Sequence, residues 1–454
     1  METQKSKFSN WVKNSISARM IMIGILILIL LIPLSYIEAL INERAERQES
    51  VVQEINTKWG NEVLLYGPIL KVPYKTYSEK ILTNSETKKV TTETIEHINY
   101  AYFFPNELTI SSEINPEVKK RGIYKTSVYK SSMKLNGNFI KPNFNSIETK
   151  DKDVLWDKAT IIIKTSNLKG INNQVEITLN DTNYNFVPKY EAQEKNFYQS
   201  ELQLHKLETN YLKKEFSASK TNHNFAIKIA VSGSKQFTII PIGKETSLNV
   251  QSNWKTANFI GSFLPQNSDK ISEQGFNANW KVLHINRPFS QEYFKSLPDL
   301  KEYAFGVNFM IPVDEYQKSQ RSAKYGFLVI ALTFLFFFLI QSISKIPIHP
   351  FQYLMIGVAL TMFYTLLISI SEHSNFLNAY LISGSSVILL IVLYSKSILK
   401  TLKFPLFIGL SLTALYTFIY VIIQLENYAL LVGSIGLFLI LSIVMYTSRK
   451  IDWN

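Results

Sequence analysis

Six apolar runs divide this chain, at roughly residues 20–41, 326–343, 353–370, 379–395, 404–424 and 428–447. Each has about the 17–25 residues that an α-helix needs to cross ~30 Å of hydrocarbon, so the pattern predicts six transmembrane helices. One run stands alone near the start and five crowd into the last third. Between the first and second no apolar run is long enough to span.

That intervening stretch has a different pattern. Asn42 to Asn56 (NERAERQESVVQEIN) holds no Gly or Pro and is rich in straight-chain residues that lose little freedom in a helix. Glu43 and Arg47 stand at i,i+4, and Val51, Val52 and Ile55 form a short apolar face. The pattern predicts a helical stalk continuing from the first span and docking on the outer domain, with an ordinary solvated helix as the alternative. Beyond it, Thr160–Thr165, Gln174–Leu179, Phe225–Val231 and Phe237–Ile242 are β-branched or alternating, as strands require. Ser232-Gly233-Ser234-Lys235 reads as a hairpin connection between the last two, and Asn136-Gly137 reads as a tight turn. Strands bounded in this way predict a β-sandwich or two packed sheets, as one domain or as two lobes with a seam in 141–157.

The fold class expected is α+β and membrane-embedded. Residues 1–19 form a cytoplasmic N-terminus and 20–41 a transmembrane anchor. Residues 42–322 form a large, mostly β extracytoplasmic domain with its stalk, and 323–454 a bundle of five transmembrane helices with a cytoplasmic C-terminus. Charge sets this orientation. Lys5, Lys7, Lys13 and Arg19 precede the first span, Lys345 follows the second, Lys396, Lys400 and Lys403 follow the fourth, and Arg449 and Lys450 follow the sixth. The connections 371–378 and 425–427 carry only Glu372 and Glu426. Positive charge concentrates on the cytoplasmic side of short loops, which puts both termini inside and the large domain in the periplasm of a bacterium with two membranes. Met20 to Leu34 has the apolar core of a signal peptide, but no small-x-small site follows and the apolar pattern runs on through Ile37, Leu40 and Ile41. An uncleaved anchor is the expectation.

Composition narrows the partners. The chain has no cysteine, which excludes disulfides and thiolate metal sites, so about 280 outer residues must fold by burying a core of their own. The net charge is +12, of which 1–41 carries +2, 323–454 carries +4 and the outer segment +6. The outer charges are interspersed, with no basic stripe interleaved with aromatics, so nucleic acid is not an expected partner. A mild excess of lysine suits anionic lipid headgroups.

The six histidines (His97, His205, His223, His284, His349, His373) are scattered, and no HExxH, GxSxG, P-loop or GxGxxG pattern occurs. No metal, cofactor or catalytic residue is therefore expected. Within the spans, ionisable residues sit only at the ends (Glu38, Glu372, His373, Glu426), which argues against an ion-driven pump, since such pumps hold titratable groups at depth. The one polar cluster that stands out is Glu372 and His373 in a short outer loop, with Tyr380 opening the next span. Either Glu372 holds His373 protonated, or both meet a headgroup, or they cap two helices at the interface.

Trp59-Gly60, the segment Tyr66-Gly67-Pro68-Ile69-Leu70-Lys71-Val72-Pro73-Tyr74, Arg121-Gly122-Ile123-Tyr124 and Val128-Tyr129 form a distinctive series. It continues through Gly261-Ser262-Phe263-Leu264-Pro265, Gly275-Phe276, Trp280, Pro312-Val313-Asp314, Tyr316 and Lys324-Tyr325. The LTFLFFFL run, Ile348-His349-Pro350, Gln352-Tyr353-Leu354, Ser371-Glu372-His373 and Ala379-Tyr380 complete it. In these residues and their order the chain resembles the CreD-type inner-membrane proteins; the last two spans match in hydropathy alone. One departure is Gln341, where the family pattern calls for an acidic residue and a more basic loop after it. The resemblance implies an inner-membrane protein linked to cell-envelope integrity and envelope stress, with no family active site to transfer. Most matched motifs have structural explanations: Gly67-Pro68 and Gly261 suit turns, Trp59, Trp254 and Trp280 a core or a rim, and His349-Pro350 a hairpin between spans.

Three classes of function follow. The first is a non-enzymatic envelope protein whose periplasmic domain contacts lipid, cell wall or an envelope protein. The second is a transporter of lipid or amphiphilic molecules, marked by a polar-lined groove in the bundle. The third is a membrane-embedded enzyme, marked by three or more converging His, Asp or Glu side chains.

Overall fold

The computed structural model describes residues 16–83, 90–147, 149–190, 202–212, 216, 221–309, 311, 315–344, 346–399, 402–425 and 428–449. Lys5, Lys7, Lys13, Lys345, Lys400, Glu426, Asn427, Lys450 and the matched residues 312–314 lie outside them. The chain divides into two compact units, Val51–Pro312 and the pair of segments Met1–Ser50 and Val313–Asn454.

The helical unit contains the six apolar helices that the sequence predicts. Helix α1 (Ile16–Lys58) runs for 43 residues without a break, although Pro33 lies inside it, and its last turns belong to the β unit. After the short polar helix α2 (Glu315–Lys324) come α3 (Gly326–Ser344), α4 (Pro350–Ser371), α5 (Phe376–Leu399), α6 (Lys403–Gln424) and α7 (Ala429–Ser448). Without water to drive apolar faces together, membrane helices associate through close packing and hydrogen bonds. Both are present. A Cβ on Gly357 of α4 would lie 2.1 Å from Leu30 Cδ1 of α1, so any larger residue there displaces that leucine. Tyr353, packed edge-on against Phe334 and Phe337, donates its hydroxyl to Gln341 Oε1 at 2.8 Å. Gln341, the point of departure from the family pattern, is thus a buried acceptor between α3 and α4. His349 caps α4, accepting from the Phe351 amide, and Pro350 takes the first helical position.

The β unit is built on a sixteen-stranded sheet among its described residues. Its order is β12 (Ala257–Gly261), β16 (Phe305–Phe309), β10 (Gln236–Ile239), β1 (Val63–Thr83), β5 (Thr160–Thr165), β8 (His205–Thr209) and β7 (Thr182–Lys189). It continues through β6 (Glu176–Leu179), β9 (Asn222–Ser234), β4 (Tyr124–Ile140), β3 (Glu107–Arg121), β11 (Glu245–Ser252), β14 (Gly275–Leu283) and β13 (Ile271–Ser272). Off this path β2 (Val90–Phe103) pairs with β1, and β15 (Glu292–Phe294) pairs with β2. The two packed sheets that the sequence predicts are halves of one sheet curled nearly into a barrel. β7 joins them, its first residues pairing with β6 and its last with β8. Burial alternates along β3, β9 and β14, so each presents one face to a single core that includes Ile110, Ile114, Phe225, Ile227, Phe276 and Trp280. The segment 141–157 forms short turns inside this unit and does not divide it.

Three turn assignments are overturned. Ser232, Gly233 and Ser234 continue β9, pairing with Lys130, Tyr129 and Val128 of β4; β10 then leaves to pair with β1 and β16. The segment is a crossover between sheet halves, made at Lys235 with φ 57°. Asn136 and Gly137 lie mid-strand in β4, between β3 and β9. Gly137 is there for closeness: a Cβ would stand 2.0 Å from the Glu107 carbonyl oxygen. Gly67-Pro68 likewise falls within β1, at the irregularity where its register with β5 shifts, and makes no reversal. Gly261 ends β12 at φ +92°.

Candidate functional site

The Glu372–His373–Tyr380 cluster separates in three dimensions. Glu372 is the C-cap of α4. Its Oε1 lies 3.5 Å from Arg44 Nη1 of α1 and accepts the Tyr316 hydroxyl of α2 at 3.3 Å. His373 is exposed, and among the described residues no contact joins it to Glu372. The reading in which Glu372 holds an imidazolium has no geometric support; the partner it does find is a guanidinium. Tyr380 is buried in the wall of α5, donating to the Tyr416 carbonyl oxygen of α6 at 2.8 Å.

Glu372 instead belongs to a polar girdle organised by α2. Gln320 donates to Asn42 of α1 at 2.8 Å, and Lys318 Nζ donates to Gln424 Oε1 at the end of α6 at 3.4 Å. The same ammonium lies 5.8 Å above the Phe376 ring at the start of α5. Ten residues with no apolar run thus tie α1, α4, α5 and α6 together at one level. The sequence carried a signal for this helix: no Gly or Pro interrupts it, and Ser319, Ser322 and Ala323 give it a small-residue buried face. The Arg44–Glu372 pair is partly exposed and contributes at most about 1 kcal/mol.

Below the girdle, α5 and α6 enclose a groove of about 620 Å³. Leu377, Leu381, Ile388, Leu389 and Val392 make it apolar, and Tyr380, Ser385, Thr413, Tyr416, Thr417 and Tyr420 also line it. An aromatic cluster of Phe363, Phe376, Tyr380, Tyr416 and Tyr420 closes one end, with ring centroids 4.5–6.3 Å apart. The Ser385, Thr413 and Thr417 hydroxyls return to carbonyls of their own helices. The Tyr416 hydroxyl is buried and has no hydrogen-bond partner among the described residues. Spacing in the sequence hides this groove, because its lining is spread over two spans whose facing surfaces hydropathy does not identify.

Two buried charged groups of the β unit have partners within its fold. Glu208 of β8 reaches across β5 to Lys71 of β1 at 2.9 Å, accepts Thr160 Oγ1 at 2.8 Å and lies 3.4 Å from Lys206. Burial raises its carboxyl, but the hydrogen bonds of Lys71 and Thr160 and the charges of Lys71 and Lys206 together outweigh burial and leave it below the usual range. Arg287 is buried, donating to the carbonyls of Ile242, Gly243 and Phe289 and to Gln291, with its guanidinium over the Phe289 ring. Burial pushes it down to about 10, so it remains charged at neutral pH. Buried His223 packs on Phe216 and contacts Asn180, and Trp280 donates to the Phe263 carbonyl, which are core roles. Among the described residues no three His, Asp or Glu side chains converge as a metal site.

Residues 15–454 match the family described as inner membrane protein CreD. The inner membrane protein CreD of Escherichia coli (strain K12) is 27% identical over 434 residues, covering 94% of this chain and 91% of that protein. Six apolar helices, a large β unit and a match over nearly the whole chain agree: this protein is a multi-pass inner membrane protein and belongs to the CreD family.

Proposed function

We propose that the protein is a non-enzymatic supporter of cell-envelope integrity, with both termini cytoplasmic and the β unit in the periplasm, where it contacts lipid, cell wall or an envelope protein. The orientation rests on positive charge in the short connections: Lys396, Lys403 and Arg449 stand on the side of Arg19, and the opposite connection 371–378 carries no Lys or Arg. The observation that carries the reading is helix α1. One unbroken helix supplies the first span and, at its far end, side chains built into the β unit. There Asn56 accepts Thr126 Oγ1 at 3.0 Å, Glu54 pairs with Arg121, and Lys119 lies over the Trp59 ring. Such a helix transmits force and displacement between span and domain, which suits a protein that reads or resists strain in the envelope.

The test interrupts that helix. Gly-Ser-Gly inserted between Ser50 and Val51 should leave membrane abundance unchanged while a strain relying on the variant becomes sensitive to detergent and cell-wall antibiotics. Full resistance with the insertion in place would sink the mechanical reading. Reporters fused after Asn427 and at the C-terminus test the orientation independently, with the first expected outside and the second inside; both on one side would refute it.

A further inference from the structure

The groove between α5 and α6, together with Lys318 at its end, has the chemistry of a lipid site, and we infer that it holds one anionic glycerophospholipid. The bound lipid places its phosphate at Lys318 and lays an acyl chain along the groove. This goes beyond the envelope reading, since it concerns the spans and holds whatever the β unit contacts.

Two observations converge. The first is length. Leu377 and Val392 both line the groove, and fifteen residues of α-helix rise ~22 Å, more than the ~15 Å half-thickness of the hydrocarbon. A chain crossing one leaflet therefore fits within it, and the lining is mostly aliphatic and aromatic. The second is charge. Lys318 Nζ touches Gln424 and the Phe376 ring, both neutral, and among the described residues no carboxylate pairs with it. Gln424 is one turn beyond Tyr420, and Phe376 stacks on Tyr420 at 6.3 Å, so this ammonium stands at the aromatic end of the groove. An ammonium beside a membrane span meets phosphate at the headgroup level. An apolar slot with a cation at one end fits a phospholipid better than a second helix, which brings no phosphate.

Full-length protein in nanodiscs containing phosphatidylglycerol with a photoreactive, clickable acyl chain tests this. Cross-links should concentrate on 377–392 and 413–420. Gly384→Leu fills the slot: a Cβ there meets only Phe363 at 3.9 Å, so the side chain enters the groove without disturbing the helix pair. It should cut labelling of these peptides about tenfold while labelling of α7 stays constant. Should that variant fail to assemble, Ser385→Leu on the same wall takes its place. Lys318→Gln should lower labelling about tenfold, the worth of one charge-assisted hydrogen bond, and Lys318→Arg should restore it. Even labelling of all exposed spans, or labelling indifferent to these variants, overturns the inference. So does full protection by inorganic phosphate, which would make Lys318 a site for a free anion.

Discussion

Glu208→Ala should be among the most destabilising single changes available in the β unit. Its carboxylate lies 2.9 Å from Lys71 and 3.4 Å from Lys206, with all three side chains about nine-tenths buried. Removing it leaves the Lys71 ammonium buried against the Tyr100 ring and the Thr160 hydroxyl without its acceptor. Breaking a buried pair from one side costs ~3–5 kcal/mol, because the remaining charge keeps its desolvation penalty. For a domain of this size each kcal/mol shifts Tm by ~2–4 °C, so a drop of about 6–20 °C is expected. Glu208→Leu combined with Lys71→Met removes that pair and should recover the part of the loss that Lys71 carries, while Lys206 keeps its charge. Tryptophan fluorescence melts of the full chain in mild detergent measure both. The carboxyl is held below its usual range in the fold, so its stabilisation is complete above the unfolded value near 4.5 and is lost as pH falls through the lower folded value. Below pH ~4.5 the wild type should therefore lose Tm faster than the doubly apolar variant. A drop under ~2 °C for Glu208→Ala, or an equal drop for the apolar pair, would refute the view that one-sided desolvation dominates here.

The other expectations are narrower. Gly137→Ala sets a methyl 2.0 Å from the Glu107 carbonyl oxygen in mid-sheet, and should cost ~3 kcal/mol or more in the same melt; an unshifted midpoint would show that the strands yield freely. A soluble fragment of residues 45–318 should give a β-dominated circular dichroism spectrum and one cooperative transition, and a mainly helical spectrum would contradict it. Glu372→Gln retains an acceptor for Tyr316 and gives up only a partly exposed ion pair, and His373 is exposed, so Glu372→Gln and His373→Asn should both keep envelope function at normal abundance. Lost function at unchanged abundance in either variant would give that loop a chemical role.

The membrane elements were legible because hydrocarbon imposes a length and a polarity on each span, and five of the six runs fall within a few residues of their helices, the first helix running on into the stalk. The stalk was legible for the same local reason, an uninterrupted run of helix formers. Strands such as Thr160–Thr165 were recovered to the residue, yet their partners were not. Asn136-Gly137 and Ser232–Lys235 carry turn chemistry but sit in or beside long strands, because pairing on both sides overrides local preference and glycine serves close approach as well as reversal. Helix α2 escaped because its burial relies on serine and alanine, which hydropathy does not register. Of the polar cluster, Glu372 was found but its partner was not: Arg44 lies over 300 residues away in the chain, a separation that no local pattern spans.

Strand β1 also sets an order of events during synthesis. Its first residues, Val63 to Leu65, pair in parallel with Phe237 to Ile239, and β10 in turn pairs with β16, which ends at Phe309. About 170 residues must therefore leave the ribosome before β1 finds that neighbour, roughly 10–35 s at ~5–20 residues per second. The first span is complete long before then, and the second is not yet made when the sheet first becomes closable. For that interval the nascent chain hangs from a single anchor with the start of its longest strand, Val63 to Leu65, lacking its β10 neighbour. Such edges recruit other chains as readily as their own. Its biogenesis therefore favours slow initiation and a holding factor on the side where the β unit emerges, and a surplus of message would raise aggregation before it raised folded protein.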